Sequence, residues 1–193
     1  MTVSATDPLA PPEVPPVRLE TDRLILRQWQ HGDLGPVAAL RGDVRVGETL
    51  GGTLTEDQAH AFAQRMATEI AGRGWGFFAM EDRRSGHFAG FGGLRPIPFE
   101  TAFTPAIELG WTLSPALWGQ GFATEAARAA SGFAFETLGL DEVVAYTAAS
   151  NQRSQAVMRR LGMVPDPALD FGHPRLAPDH PLARHVLYRL PRP

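Results

Sequence analysis

The sequence predicts a mixed α/β (α+β) fold in which helices cover both faces of one central sheet. Runs of alternating or continuous apolar residues, which indicate strands, are grouped in the first half of the chain. In the second half such runs alternate with amphipathic helix patterns, each followed by a glycine that is typical of a helix end. Grouped strands followed by a strand, helix, strand, helix order favour a mixed sheet.

The individual elements follow from local signals. Asp33 can cap a short helix that runs through Leu40, and Thr55 with Gln58 resembles a capping box that begins a longer one. Two more helices are expected at 121–138 and 151–161. Strands are expected at 24–29, 76–80, 88–94, 107–113, 142–147 and 185–190.

The length of 193 residues suits one domain with a single core. Residues 1–16 contain five prolines and few apolar side chains, so we expect a disordered, proline-rich lead there. Folded structure should therefore begin near Val17, and residues 17–193 should form one domain.

The composition excludes several classes of function. A net charge of −3 without a basic run gives no electrostatic footprint for nucleic acid. No apolar window approaches the roughly 18 residues that span a bilayer, and the N-terminus lacks the parts of a secretory signal. We therefore expect no membrane partner and a cytoplasmic location. The absence of cysteine removes disulfides, thiolate metal sites and cysteine nucleophiles.

The most informative local feature is the turn at 118–123, which reads WGQGFA and joins an apolar strand directly to an alanine-rich helix. The first amides of a helix have no partners within it, and the helix dipole is positive at that end. A small-residue turn that opens into a helix therefore predicts an anion site able to hold a diphosphate.

Three motifs in order carry a family resemblance: LETDRLILR at 19–27, WGQGFATEA at 118–126, and Asn151-Gln152-Arg153-Ser154 followed by Leu161-Gly162-Met163. Together they resemble the GNAT superfamily of N-acetyltransferases, and more narrowly its ribosomal-protein N-terminal-alanine acetyltransferase (RimJ/RimL-type) branch. Trp118 stands where the superfamily usually has Gln or Arg, a departure that is itself typical of this branch. The resemblance covers about residues 18 to 190.

The resemblance implies a mostly antiparallel sheet of about six to seven strands, splayed at the cofactor site, with about four helices. It also implies acetyl-CoA as cosubstrate, its pyrophosphate on the loop amides and its pantetheine arm along the preceding strand. From local chemistry alone, Asn151 reads as a plain helix N-cap. The cofactor-binding residues implied are Trp111, Thr112, Leu113, Gly119, Gln120, Gly121, Phe122, Ala123, Thr124, Asn151 and Ser154.

The implied reaction is acetyl transfer to a primary amine by direct attack on the thioester. Strand alternation places Glu108 with Gly110 and Thr112 on one face, which makes Glu108 the candidate base if its pKa is raised or water relays the proton. An exposed strand-end glutamate is the alternative. The resemblance places Ser154 near the thioester sulfur, while Met158 replaces the tyrosine that many members use to protonate the thiolate.

The acceptor is expected to be a small molecule or a peptide or protein N-terminus. A non-catalytic acyl-CoA-binding regulatory module on the same fold is the alternative. The histidines show no metal-binding spacing, so we expect no metal, and exposed edge strands are compatible with a homodimer. Candidate acceptor-binding residues are Trp29, Trp75, Phe77, Arg95 and His173. Phe99, Phe103 and Asp170 are further candidates on the acceptor side.

Overall fold

The computed structural model describes residues 17–193, so the predicted lead at 1–16 lies outside the described residues. One sheet holds the strands β1 (Leu19–Glu20), β2 (Leu24–Arg27), β3 (Phe77–Asp82), β4 (Phe88–Pro96), β5 (Ile107–Leu113), β6 (Glu142–Ala148), β7 (Val164–Pro165), β8 (Phe171–Gly172) and β9 (Arg184–Pro191). Their order is β1-β2-β3-β4-β5-β6-β9-β7, and β8 also pairs with β9. Every pair is antiparallel except β5 with β6. The mixed, mostly antiparallel sheet is therefore confirmed.

The described chain has nine strands where about six to seven were expected. The additional strands β1, β7 and β8 are two residues each, too short to produce an alternation pattern in the sequence. The strand β8 lies within the segment 165–182, and β7 begins one residue before it. The sequence predicts mostly loop for this segment.

Residues 17–193 form five α-helices: α1 (Leu34–Gly42), α2 (Val44–Leu50), α3 (Glu56–Arg73), α4 (Phe122–Glu136) and α5 (Gln152–Arg160). The unexpected one is α2, which begins where the Asp43 side chain accepts a hydrogen bond from the Arg45 amide and ends at Gly51 with φ 78°. Seven residues with a glycine inside show too little periodicity to predict a helix.

The predicted cap at Asp33 takes a different form. Asp33 precedes α1, but its carboxylate makes no cap to that helix. It instead accepts a bidentate pair from Arg27 at 2.8 and 3.0 Å and a bond from the Gln30 amide at 2.8 Å. The box of Thr55 and Gln58 is confirmed, with both reciprocal hydrogen bonds present at the start of α3.

Helices lie against both faces of the sheet. On β4, Phe91 contacts Phe62 of α3 with ring centroids 4.8 Å apart, whereas Leu94 packs in one cluster with Ala127 of α4. Residues 91 and 94 point to opposite faces because side chains alternate along a strand. No helix among residues 17–193 is long and apolar enough to cross a membrane.

The central sheet is splayed between β5 and β6. All seven residues of β5 have Cα partners on β4, from Ile107 opposite Pro96 to Leu113 opposite Gly90. On its other edge, β5 pairs with β6 at one position, Glu108 opposite Val144. The two parallel strands diverge beyond that point, and the backbone edge of residues 109–113 faces the gap.

Candidate active site

A cavity of about 1010 Å³ occupies the gap between the diverging strands. Residues 108–113 of β5 line it, together with Tyr146 and Thr147 of β6. Because the carboxyl ends of parallel strands lie at one edge of a sheet, α4 and α5, which follow these strands, both begin there. Two further segments, at 41–62 and 173–176, contribute the part of the lining that is here called the far wall: Arg41, Val46, Thr49, Leu50, Gly51, Phe62, His173, Arg175 and Leu176.

The turn before α4 has the geometry of an anion cradle. Gly119 and Gly121 have φ 75° and 85°, in the left-handed region that favours glycine. The Glu125 amide donates to the Gly121 carbonyl at 3.0 Å. The three helical amides before it, those of Phe122, Ala123 and Thr124, have no acceptor within the helix. These residues line the cavity, and the helix therefore presents its positive end to it.

Arg23 fixes this turn from outside the cavity. Its guanidinium lies 2.6 Å from the Glu125 carboxylate, donates to the Gln120 carbonyl at 2.9 Å and stacks over the Phe122 ring at 4.1 Å. Hydrogen bonds from Thr21 and Arg23 outweigh the burial of Glu125 and lower its pKa. Glu125 is thus a structural residue that holds the loop in place.

Gln120 differs from the other predicted cofactor residues. Its side-chain amide donates to the Ala116 carbonyl at 2.7 Å and it does not line the cavity. The remaining predicted cofactor residues do line it: Trp111, Thr112, Leu113, Gly119, Gly121, Phe122, Ala123, Thr124, Asn151 and Ser154.

Trp118, at the position where the superfamily usually has glutamine or arginine, stabilises the turn by contacts on both sides. Its indole Nε1 donates to the Leu113 carbonyl at 2.9 Å, which holds the end of β5. The Arg153 guanidinium stacks over the indole at 4.5 Å, and both residues line the cavity. The stacking places a fixed positive charge beside the turn.

The start of α5 is organised by Asn151. Its Oδ1 accepts from the Ser154 amide at 3.1 Å, which makes it the helix cap, and its Nδ2 donates to Ser154 Oγ at 3.1 Å and to Thr147 Oγ1 at 3.0 Å. Because Ser154 Oγ accepts a hydrogen bond, its own proton remains available for donation into the cavity. Met158, one turn later, is 1% exposed and has no proton to donate.

Glu108 lies where the two strands separate. Its Oε2 accepts a hydrogen bond of 2.9 Å from the Tyr146 hydroxyl. Burial raises the pKa of Glu108 to about 7, against the lowering effect of this bond and of the charges on Arg95 and Arg175. The same burial, with the neighbouring carboxylate, raises the pKa of Tyr146 above its usual value. A carboxyl with this pKa is poised to exchange protons near neutral pH.

Gly110 leaves the space in which the Glu108 side chain sits. A Cβ at this position would lie 2.6 Å from Phe77 Cζ and 3.3 Å from Glu108 Oε1. Glu108 and the Phe77 ring therefore share one face of the sheet beside a residue without a side chain, as the strand alternation predicts.

The second polar group at the cavity is a pair of stacked histidines. The rings of His173 and His185 lie 4.8 Å apart, surrounded by Phe99, Tyr146 and Phe171. Burial, together with His185 and Arg175, lowers the pKa of His173 to about 4. His173 is therefore neutral at pH 7.

The structure does not bring three of the predicted acceptor residues to the cavity. Trp29 is 1% exposed and its Nε1 donates to the Phe77 carbonyl, so it belongs to the core. Trp75 packs against the core and under Arg73, and Arg95 is paired with Glu69 of α3 at 2.9 Å. Of the predicted set, Phe77 and His173 line the cavity.

Several lining residues carry charge or polarity that the sequence did not single out: Arg41, Tyr146, Arg153, Arg160 and Arg175. Arg153 lies inside the motif of Asn151 and Ser154 and so had a sequence signal. Tyr146 lies on a predicted strand, but its place beside Glu108 follows from the pairing of the two strands. Arg41 and Arg175 are brought in by packing of separate segments, which leaves no local pattern. No group of three or more potential metal-ligating side chains occurs within the described range 17–193.

Comparison with known proteins gives the family. The family model of the acetyltransferase (GNAT) domain matches residues 23–164. The chain belongs to this family. An FsC-acetyl coenzyme A-N(2)-transacetylase of Aspergillus fumigatus is 33% identical over an alignment of 162 residues that covers 74% of this chain and 65% of that protein. The match thus spans less than two thirds of that relative.

Solved structures of acetyltransferases have the same fold. An acetyltransferase from Agrobacterium tumefaciens superposes with a TM-score of 0.74 and 27% identity, covering 91% of this chain and 95% of that one. A ribosomal-protein-S5-alanine acetyltransferase from Vibrio fischeri superposes with a TM-score of 0.71 at 16% identity, covering 91% and 96%, which shows the fold alone. The expected family and fold are therefore confirmed.

Proposed function

We propose that this chain transfers the acetyl group of acetyl-CoA to a primary amine by direct attack of the amine on the thioester. The observation that carries the proposal is the position of Glu108. A carboxyl with a pKa of about 7 lies where the strands separate, in the same cavity as a helix N-terminus suited to a diphosphate.

Residues of the cavity fit the cofactor. The positive-φ glycines Gly119 and Gly121 and the first amides of α4 form the cradle, and Arg153 adds positive charge beside it. The edge of β5 that turns away from β6 offers backbone groups for the pantetheine amides. Acetyl-CoA, when bound there, supplies a thioester carbonyl that is open to attack by an amine.

Glu108 has the role of general base. A primary ammonium must lose a proton before it can attack, and a carboxylate whose pKa is near 7 can accept that proton directly or through one water. Tyr146 keeps the carboxylate oriented by donating to Oε2 at 2.9 Å. Tyr146 is a positioning residue in this scheme.

Ser154 has the role of proton donor to the departing thiolate. Asn151 occupies one lone pair of Ser154 Oγ and thereby directs the hydroxyl proton elsewhere. The hydroxyl lines the cavity, while the neighbouring lining residue Met158 cannot donate.

The Aspergillus relative is named as an N(2)-transacetylase, which supports transfer to nitrogen.

The test is calorimetry of acetyl-CoA binding followed by thiol release with a panel of amines and N-terminal peptides. Acetylation of lysine side chains within the protein cannot contribute thiol, because the sequence contains no lysine. Binding with amine-dependent thiol release is the expected result. Binding without release for every amine would favour the alternative, a non-catalytic acyl-CoA-binding module on this fold.

A further inference from the structure

The cavity is strongly positive although the chain carries a net charge of −3. Among the described residues that line it, Glu108 is the one acid. Four arginines line it as well: Arg41, Arg153, Arg160 and Arg175. An excess of arginine over acid in an enclosed site attracts anions, and arginine is the side chain best suited to bind oxyanions.

These arginines form two groups. Arg153 and Arg160 belong to α5, and Arg153 at its start stacks on Trp118 beside the turn of Gly119 and Gly121, where the phosphates of the cofactor would account for its charge. Arg41 of α1 and Arg175 of the segment before β9 belong to the far wall. The two segments of the far wall meet at Gly51 and Leu176, because a Cβ added at Gly51 would lie 3.1 Å from the Leu176 side chain.

Arg41 is a buried cation without a partner. Its exposed fraction is 8%, and its Nη1 is fully buried with no hydrogen-bond acceptor anywhere in the described part of the chain. The arginines found over aromatic rings in residues 17–193 are 23, 65, 73 and 153, so no ring compensates it. Burial lowers the pKa of Arg41, with no carboxylate opposing that effect. An unpaired buried charge is costly, so a ligand that supplies an anion to the part of the guanidinium that lines the cavity would bind favourably.

The anion site and the base share one cavity. The positive charge of Arg175 acts on the Glu108 carboxyl, so the two sites are electrostatically coupled. The cavity surface also includes the rings of Phe62, Phe77 and Phe91. A ligand that meets both sites therefore carries an amine, an anionic group and apolar surface.

We propose that the far wall is a carboxylate subsite, and that the acceptor is a primary amine that also carries a carboxylate. Arg41 binds the carboxylate through its planar guanidinium, and Arg175 adds a second positive charge at the exposed edge of the wall. The identity of the acceptor end rests on the proposed function, whereas binding of the carboxylate can be measured without turnover.

The experiment compares matched probes that differ only in the carboxylate. Binding of 6-aminohexanoate and of alanyl-phenylalanine, each as free acid and as terminal amide, is measured by calorimetry on the protein loaded with CoA. The wild type should bind each acid at least about tenfold more tightly than its amide, as expected for a charge-assisted hydrogen bond. Arg41→Gln should abolish this preference and Arg175→Gln should reduce it. Arg84→Gln, the same change at an exposed residue of the β3–β4 turn, should leave it unaltered.

The outcomes separate the two proposals. Equal binding of acid and amide by the wild type, or no binding of either acid, overturns the carboxylate subsite whatever the turnover. An acid preference that persists in both Arg41→Gln and Arg175→Gln also overturns it, and Arg175→Gln keeps the test valid if Arg41→Gln does not fold. An acid preference without thiol release supports the subsite while the proposed acetyl transfer fails.

Discussion

Glu108 is the residue on which the proposed chemistry depends. Replacing it with glutamine keeps the size of the side chain and removes the proton acceptor, so kcat/KM should fall by about 10² to 10⁴. In the wild type kcat/KM should rise with pH through about 7, because the deprotonated carboxylate is the active form. Steady-state kinetics from pH 5.5 to 8.5 should show this limb, and the variant should lack it while keeping its affinity for acetyl-CoA.

Tyr146 controls the pH at which that limb appears. Its hydroxyl donates to the Glu108 carboxylate and so favours the charged form. Tyr146→Phe should raise the pKa of Glu108 and move the limb upward by about one pH unit. The chain offers a matched control in its other tyrosine, since Tyr188→Phe removes a buried hydroxyl that bonds Gln155 instead. A limb that stays in place in Tyr146→Phe, or moves equally in both variants, would contradict the assignment.

At the scale of elements, the turn before α4 is the feature that holds the cofactor in the proposal. Gly121→Val should abolish acetyl-CoA binding, because a Cβ would lie 3.4 Å from Arg23 Nη2 and a branched side chain would displace the guanidinium that holds the cradle for the diphosphate. Calorimetry measures the effect directly.

Backbone strain requires a separate control for this variant, since Gly121 has φ 85°. Gly139 has φ 68° and lies beyond the other end of α4, where a Cβ would meet only Arg192 at 3.9 Å. Gly139→Val should lose a comparable 1–2 kcal/mol or so of stability while retaining cofactor binding. Loss of binding in both variants would attribute the effect to strain rather than to the cradle.

One position in α4 allows a substitution that should raise stability without altering the cavity. Gly132 lies inside the helix, and a Cβ there would meet nothing within 4 Å. Gly132→Ala should therefore stabilise the protein by up to about 1 kcal/mol, because alanine loses less backbone entropy in a helix. Thermal unfolding should show a Tm increase of about 2–4 °C with unchanged kcat. A lower Tm would indicate an unrecognised packing role for this glycine.

The sequence predicted those parts of the site that are continuous in the chain. The turn at 118–123 and the cap at Asn151 are set by local backbone chemistry, and the alternation along β5 assigned Glu108 and Gly110 to one face. Trp29, Trp75 and Arg95 were assigned to the acceptor side by residue type alone. Their true surroundings depend on how α3 packs on the sheet, as the pair of Arg95 with Glu69 shows.

The two arginines of the far wall could not be predicted from the sequence for the same reason. Arg41 and Arg175 are separated by 134 positions in the sequence, and their shared cavity exists only because α1 and the segment before β9 fold onto the same site. Neither residue belongs to a motif, and the orphaned guanidinium of Arg41 is visible only from burial. Long-range packing of this kind has no periodic signature in the sequence.

At the scale of the whole molecule, stability depends on pH through two cavity groups with opposite effects. Burial raises the pKa of Glu108 from 4.5 to about 7, so its contribution is present below pH 4.5 and is lost as pH rises through 7. Burial lowers the pKa of His173 from 6.5 to about 4, so its contribution is present above pH 6.5 and is lost as pH falls through 4. Between pH 4.5 and 6.5 the two contributions change in opposite directions.

Removing either group should expose the effect of the other. In Glu108→Gln the free energy of unfolding should fall more steeply than in the wild type as pH is lowered from 6.5 to 4.5, because the folded state no longer gains from taking up the Glu108 proton. In His173→Gln it should fall less steeply. Urea unfolding at three pH values in that window measures both slopes, with Glu100→Gln at an exposed position as the charge control. Slopes that shift in the opposite sense would show that these cavity groups are not held in the protonation states that their burial imposes.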